Sequence, residues 1–160
     1  MLILIPIRHR TGANYSFAPM YVCYNFYVQE KEFINKVHKQ LPKKIYCWKI
    51  NDPYHGGVSD TYYSGPSNHC WIEYKYKDKL PSKETSKIKI NLSVQQRMWL
   101  TQQKEHGIFT YAVFASGNLV YVIEDFTIKE ITLKEFNKNS IPFKTYIEVL
   151  TKFCLGDKND

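Results

Sequence analysis

Two acidic side chains and one lysine near the middle of the chain have types and spacing that suit phosphodiester hydrolysis. Glu73 follows Asp60 by thirteen positions, and Lys75 follows Glu73 by two. Paired carboxylates suit Mg²⁺, which prefers oxygen ligands and keeps several of its waters. Such an ion polarises a phosphate and helps to form hydroxide, while an ammonium group orients water or stabilises developing charge. The three residues are therefore a candidate metal-dependent site, for Mg²⁺ or for Mn²⁺ as its substitute.

A β-hairpin would bring these three residues together. Residues 65–68, Gly-Pro-Ser-Asn, favour a tight reversal between two runs of strand character, residues 58–64 and 69–76. A turn centred on these residues places Asp60 opposite Glu73, and the two-residue period of a strand puts Lys75 on the same face. Opposed carboxylates repel unless a cation offsets them. The alternative is a salt-bridged hairpin whose Glu and Lys face solvent.

The same residues resemble the motif of the PD-(D/E)XK nuclease superfamily. The motif here is Val-Ser-Asp60 followed by Trp-Ile-Glu73-Tyr-Lys75, with Ser59 where the family usually has Pro. Within the superfamily, the chain looks most like the VRR-NUC and archaeal Holliday junction resolvase branch, and like small endonucleases of bacteriophages. The resemblance covers about residues 26–115. It implies a Mg²⁺-dependent DNA endonuclease.

Two further segments carry the resemblance and add residues to the candidate site. The segment beginning at Glu30 resembles the first helix of the resolvases, whose leading Glu completes the metal site; Glu32 is the competing candidate. Residues 92–100, Leu-Ser-Val-Gln-Gln-Arg-Met-Trp-Leu, resemble the Leu-Ser-x-x-Gln-x-x-Trp helix that follows the lysine strand in VRR-NUC domains. In that family, the residue matching Gln96 supports the active-site lysine or a water. Gln95 is the alternative if the alignment slips by one.

The resemblance implies a role for each residue. Asp60, Glu73 and the backbone carbonyl of Tyr74 would hold one or two Mg²⁺ ions, and Glu30 would complete the site directly or through water. Lys75 would orient the attacking water. The substrate would be branched or double-stranded DNA, cut by a homodimer whose two active sites address two strands. A homing or restriction-like enzyme, a phage enzyme that degrades host DNA, and a non-catalytic nucleic-acid-binding module are the alternatives.

Basic residues near the motif predict contacts with the DNA backbone. The loop at residues 51–57 carries a histidine and two glycines, and the equivalent loop of related nucleases passes close to DNA. The stretch at residues 76–90 is rich in lysine with little apolar periodicity, which suits phosphate positioning rather than base readout. A solvated connector is the compatible alternative. The predicted DNA-binding residues are His55, Lys77, Lys79, Lys83 and Lys87.

Composition is that of a globular protein with a polyanionic partner. The chain has 160 residues, 44% of them hydrophobic and 23% charged, which is enough for one domain with a core of its own. Aromatic residues make up 16%, including thirteen Tyr, and the net charge of +7 favours nucleic acid and argues against an acidic partner. Nothing in the hydropathy predicts a membrane span, so a cytoplasmic protein is expected, in the host cytoplasm if the gene belongs to a phage.

The order of the predicted helices and strands indicates an α/β fold with a central mixed β-sheet flanked by helices, and the resemblance implies that it is a single nuclease domain. Its core is expected at about residues 26–125, with an N-terminal strand extension at 1–25 and C-terminal helical elements within 131–155. Four cysteines without paired spacing indicate reduced thiols, although a disulfide remains an alternative. The predicted helices span residues 30–41, 92–107, 131–136 and 145–155, and the predicted strands outside the hairpin span 45–50, 108–114 and 118–124.

Overall fold

The structure, a computed structural model, describes residues 20–50 and 56–156, with side chains described from residue 29 onward. The described residues form a six-stranded sheet, a separate two-stranded sheet and four helices. In chain order the elements are α1 (Met20–Gln40), β1 (Tyr46–Lys49), β2 (Thr61–Ser64), β3 (His69–Tyr76), β4 (Lys87–Lys89), α2 (Val94–Glu105), β5 (Thr110–Ser116), β6 (Leu119–Ile123), β7 (Glu130–Thr132), α3 (Leu133–Asn139), β8 (Ile141–Pro142) and α4 (Phe143–Leu155).

The large sheet is mixed. Its strand order is β1-β2-β3-β5-β6-β8, and β3 pairs with β5 in parallel while the other neighbours are antiparallel. The parallel pair needs a long crossover, which contains β4 and α2. The small sheet pairs β4 with β7. The predicted α/β class, with a central mixed sheet flanked by helices, is confirmed.

Two hydrophobic clusters cover the two faces of the large sheet. On one face, α1 and α4 pack through residues such as Phe33, Val37 and Tyr146 onto the side chains of Ile72 and Val113. On the other face, α2, α3 and the small sheet pack around Leu100, Phe114, Ile123 and Phe136. Along β3, Cys70, Ile72 and Tyr74 belong to the first face, and the intervening residues point the opposite way.

Helix α2 is tied to the small sheet by one arginine. The guanidinium of Arg97 donates hydrogen bonds to the carbonyls of Ile90, at 3.0 Å, and Ile128, at 2.8 Å. It also donates to the carbonyl of Phe126. Because these carbonyls flank β4 and β7, the arginine fixes the orientation of α2 relative to the small sheet.

Helix α1 begins at Met20, ten residues before the predicted start at Glu30, so residues 20–25 are helical where an N-terminal strand extension was expected. The segment is rich in aromatic residues, a composition that favours strands, and intrinsic propensity is only a weak guide to the element that forms. Strands β4, β7 and β8 were also absent from the prediction, since each has three residues or fewer. The predicted strand extension at residues 1–19 lies outside the described residues.

Three of the four cysteines have described side chains, and all three are free thiols. Cys70 and Cys154 are buried, and Cys47 is partly buried. The predicted reduced state agrees with the structure for these three. Among the described residues, no helix is both long and apolar enough to cross a membrane.

Candidate active site

The hairpin has the predicted register. Strands β2 and β3 pair Thr61 with Ile72 and Ser64 with His69, and the next position in this register places Asp60 opposite Glu73. Each carboxylate accepts a hydrogen bond from the backbone of the opposite side of the hairpin. The Asp60 N–H donates to the Glu73 carboxylate at 3.1 Å, and the N–H of Tyr74 donates to the Asp60 carboxylate at 3.0 Å. These two hydrogen bonds fix both carboxylates where β2 begins and β3 continues beyond it.

Lys75 completes the predicted trio. Its ammonium group donates to Oε1 of Glu73 at 2.6 Å and lies 3.6 Å from a carboxylate oxygen of Glu30. Glu30 comes from α1, and it reaches Lys75 because β3 runs beyond the last residue paired with β2. Of the two acids left open by the sequence, Glu30 therefore lies in the site. Glu32 is exposed and lines a separate cavity of about 300 Å³.

Helix α2 contributes Gln96. Ser93 caps the helix by accepting from the Gln96 N–H at 3.1 Å, and the Gln96 side-chain oxygen accepts from the Ser93 N–H at 2.9 Å. The capping box holds the amide so that its nitrogen donates to Oε1 of Glu73, the same oxygen that accepts from Lys75. Gln96 and Lys75 therefore share one acceptor, Oε1 of Glu73. The hypothesis from the sequence was that Gln96 supports Lys75.

Gln95 has a different environment. A Cβ on Gly57, whose φ is +94°, would stand 2.7 Å from the backbone of Gln95, and a Cβ on Gly56 would stand 2.8 Å from its side chain. The two glycines are therefore needed for the first turn of α2 to approach the segment leading into Asp60. The prediction was a close approach of this loop to DNA; the close contact in the structure is with α2.

Burial makes the charged state of the site costly. Glu73 is fully buried, and desolvation, reinforced by the charge of Asp60, raises its pKa to about 8. Desolvation likewise raises the pKa of Glu30 to about 7. Burial alone would lower the pKa of Lys75, but the neighbouring carboxylates, Glu73 first among them, bring the pKa above its ordinary value. The lysine is therefore charged at neutral pH, and the acids favour a bound cation.

The donor set of the site fits Mg²⁺. The carboxylates of Asp60 and Glu73 and the Tyr74 carbonyl are hard oxygen donors, and Mg²⁺ keeps several waters when it binds one or two carboxylates. No group of three or more His, Cys, Asp or Glu side chains in the described part of the chain could enclose a metal ion. Two carboxylates and a backbone carbonyl suit Mg²⁺ better than they suit Zn²⁺, which prefers nitrogen and sulfur ligands.

The predicted DNA-binding residues stand in several environments. Lys77 follows β3 directly and is partly buried, and Lys79 and Lys83 are exposed in the connection to β4. Lys87 lies on β4, where it forms an exposed ion pair with Glu130. The predicted contact of His55 lies outside the described residues.

Sequence reasoning missed an aromatic cluster beside the carboxylates. Register places Trp48 on β1 opposite Tyr62 on β2, and Tyr62 opposite Trp71 on β3. The rings of Tyr62 and Trp71 are 4.9 Å apart, and Trp71 meets the ring of Trp99 on α2 edge to face at 5.3 Å. We call these four residues the aromatic row. The two-residue period could have found it, because Trp71 precedes Glu73 by two positions and shares its face.

This chain is similar to several chains of solved structure. No protein-family model matches the chain, and no curated protein matches it. Among solved structures, the chain is similar to Hjc, a Holliday junction resolvase from the archaeal hyperthermophile Archaeoglobus fulgidus, at 14% sequence identity and a TM-score of 0.49. The match covers 79% of this chain and 98% of that chain.

Proposed function

We propose that this protein is a metal-dependent DNA endonuclease that hydrolyses phosphodiester bonds. The carrying observation is the opposed pair Asp60 and Glu73, cross-linked by hydrogen bonds to each other's strand, with Lys75 2.6 Å from Glu73. A structural ion pair would have one acid for one base. Here the ammonium group of Lys75 faces three carboxylates, those of Glu73, Glu30 and Asp60. The excess of carboxyl groups over bases in a buried place supports a role in cation binding, because a bound cation would offset the charge of the carboxyls that lose their protons.

Asp60, Glu73 and the Tyr74 carbonyl would hold Mg²⁺, with Glu30 completing the site directly or through water. When bound, the ion polarises the phosphate and lowers the pKa of a bound water. The Gln96 amide fixes the orientation of Glu73 by donating to Oε1. Because Lys75 is protonated, it acts as a donor: its ammonium group orients the attacking water or stabilises charge developing on the phosphate. In-line attack leaving a 5′-phosphate and a 3′-hydroxyl is the outcome implied by the resemblance.

The proposed substrate is branched DNA, cut by a homodimer in the manner of Holliday junction resolvases. Two observations support a DNA substrate: the motif resemblance and the net charge of +7, which favours binding to phosphates. Lys77, Lys79 and Lys83 follow the catalytic strand closely enough to position DNA beside the acids. A homing or restriction-like enzyme would use the same chemistry on linear duplex.

A cleavage assay with four-way junction, linear duplex and single strand tests this proposal. Each labelled DNA is incubated with Mg²⁺, Mn²⁺ or EDTA and with the wild type or Glu73→Gln. We expect metal-dependent paired nicks near the branch point in the wild type and none in the variant. Equal cutting of linear duplex would instead indicate a general or sequence-directed nuclease.

Glu32→Gln is the matched control for Glu73→Gln. It makes the same chemical change at an exposed acid outside the site, so it should cut at the wild-type rate. Binding of the junction without any cleavage, in every metal, would contradict the proposal and favour a non-catalytic nucleic-acid-binding module.

A further inference from the structure

The aromatic row lies next to the carboxylates on the same face of the sheet. Trp71 stands two positions from Glu73 on β3, and Tyr62 stands two positions from Asp60 on the β2 side of the hairpin. Two strand residues span about 7 Å, so the row runs across the strands roughly one nucleotide's width from the acids. A DNA strand whose phosphate reached Asp60 and Glu73 would therefore bring its neighbouring base over the row.

One end of the aromatic row is packed against neighbouring rings, and the other end is exposed to solvent. Trp71 is packed between the rings of Tyr62 and Trp99, which fixes its position. At the edge of the sheet, Trp48 is 50% exposed, and Tyr46, two positions away on β1, is 61% exposed. Contiguous apolar side chains are unfavourable in water, so exposed aromatic side chains beside the packed part of the row indicate a binding surface. Bases stack on such side chains whatever their sequence.

Charge at the same edge favours a polyanion. Lys43 and Lys44 precede the exposed aromatic residues in the chain, and residues 42–49 include no acid. Interleaved lysine and aromatic residues are typical of surfaces that follow a single strand, because the lysines contact phosphates while the rings stack on bases. Lysines on an edge strand also oppose pairing with a second copy of the same strand. A nucleic acid fits this edge better than a second copy of the chain.

We propose that the aromatic row stacks the unpaired bases of the DNA strand that is cut, next to the scissile phosphate. The inference rests on the proposed function and names its substrate more closely: DNA with unpaired nucleotides at or beside the branch point. Duplex DNA keeps its bases stacked on one another and offers no free faces to the row. The row would thus select for unpaired DNA, and the carboxylates would cut it.

Tryptophan fluorescence in EDTA tests the inference without any cleavage. The chain has three tryptophans, and all three belong to the row, so tryptophan emission, excited selectively over that of the thirteen tyrosines, reports on this surface. A short oligodeoxythymidylate is titrated into the wild type, beside a duplex of the same length. We expect the single strand to quench the fluorescence and the duplex to quench it much less.

Trp48→Ala should weaken binding of the oligodeoxythymidylate by roughly five- to 100-fold, because stacking of a base on an aromatic ring contributes that much. Trp48→Phe should keep most of the affinity, since it keeps a ring. Val149→Ala removes an equally exposed apolar side chain on the opposite face and should bind like the wild type. Thermal unfolding of each variant checks that the fold is intact.

Two outcomes would overturn the inference. One is wild-type affinity of Trp48→Ala for the oligodeoxythymidylate. The other is sedimentation showing that Trp48→Ala converts a dimer to a monomer without changing DNA binding, which would make a second copy the occupant of the row. The proposed function is tested separately by cleavage. Stacking without cleavage would keep the row as a surface that binds unpaired bases and would remove the nuclease, and cleavage without an effect of Trp48→Ala would do the reverse.

Discussion

Strand β3 buries polar groups on both of its faces, but the cost of burying them is compensated in a different way on each face. On the α1 and α4 face, the hydroxyl of Tyr74 shares hydrogen bonds with those of Tyr63, at 3.1 Å, and Tyr146, at 2.7 Å. His38 continues this chain to Tyr63 at 3.1 Å. On the α2 face, the preceding residue, Glu73, is equally buried, but its neighbours are charged groups: the acids Asp60 and Glu30 and the lysine Lys75.

The difference between the faces lies in charge. Burial raises the pKa of Tyr74 well above its usual range, and burial, with the charge of Lys49, lowers the pKa of His38, so that face is neutral and its groups satisfy one another. The other face has three carboxyl groups, those of Glu73, Glu30 and Asp60, around the one base Lys75, and burial raises the pKa of Glu73 and Glu30. Buried polar groups that are fully paired stabilise a fold, whereas ionising further carboxyl groups in a buried place costs stability unless a ligand offsets their charge. This imbalance supports our proposal that the α2 face binds a cation.

The largest expected effect is on activity and belongs to the α2 face. Asp60→Asn removes one ligand charge while keeping the shape of the side chain, so we expect cleavage to fall by about a thousandfold or more, in line with the loss of a group that acts in the transition state. DNA binding should persist or tighten, because a negative charge near phosphate is removed. Single-turnover cleavage and anisotropy measure the two effects. Cleavage at the wild-type rate would mean that the site is misassigned.

The second effect is the pH dependence of stability in EDTA. In the folded state burial raises the pKa of Glu73 to about 8, whereas in the unfolded chain it is near 4.5. A folded carboxyl that keeps its proton contributes stability below the unfolded pKa, and this contribution is lost as the pH rises through the folded pKa. The wild type should therefore lose stability relative to Glu73→Gln between about pH 5 and pH 8, on the order of a few kcal/mol.

Denaturant unfolding of both proteins across that pH range measures the difference. His38, whose pKa is lowered by burial, changes stability with pH in the opposite direction. Because both proteins contain His38, its contribution cancels in the difference between their unfolding free energies. A difference that stays constant with pH, or one that grows in favour of the wild type, would contradict the electrostatic account of this face.

The third effect is on stability and belongs to the α1 and α4 face. Tyr74→Phe breaks the hydrogen bonds to Tyr63 and Tyr146 and leaves buried hydroxyls without a partner, which should cost about 1–3 kcal/mol of unfolding free energy. Cleavage should be unchanged, since the hydroxyl faces away from the acids. Urea unfolding and the cleavage assay check the two parts. Loss of activity in a folded Tyr74→Phe protein would contradict the claim that this face contributes to stability and not to cleavage.

The smallest effect is at Ser59, beside Asp60. Its hydroxyl is buried and has no hydrogen-bond partner in the described part of the chain. Ser59→Ala removes an unsatisfied polar group, so stability should stay the same or rise by up to about 1 kcal/mol. Thr61→Val is the contrasting variant, because the Thr61 hydroxyl donates to the carbonyl of Ile72 at 2.9 Å and its removal should cost about 1 kcal/mol. Equal losses in both variants would contradict this distinction.

Local patterns were sufficient to predict the central hairpin. The turn at residues 65–68 fixed the register of β2 and β3, and register alone placed Asp60 opposite Glu73. The Ser93 cap and the Gly107 stop bounded α2, which placed Gln96 one turn into the helix. Each of these inferences depends on residues close together in sequence, where turn and capping chemistry decide the structure.

Long-range arrangement could not be predicted from the chain. The parallel pairing of β3 with β5 and the small sheet of β4 and β7 depend on contacts between distant segments. The start of α1 at Met20 could not be predicted either, because the aromatic-rich sequence before Glu30 favours a strand by propensity. The hydrogen bond from Gln96 to Glu73 joins α2 to β3, and only the relative position of the two elements reveals that it ends on the acid and not on Lys75.

The most direct test of the account is calorimetric titration of Mn²⁺ into the wild type and Asp60→Asn at pH 7, in two buffers of different ionisation enthalpy. We expect the wild type to bind the ion and to release about one proton, because Glu73 has a raised pKa and must lose its proton to become a ligand. Asp60→Asn should bind much more weakly. If the wild type binds no Mn²⁺, or if Asp60→Asn binds it equally well, the buried acids are not a metal site and the central claim fails.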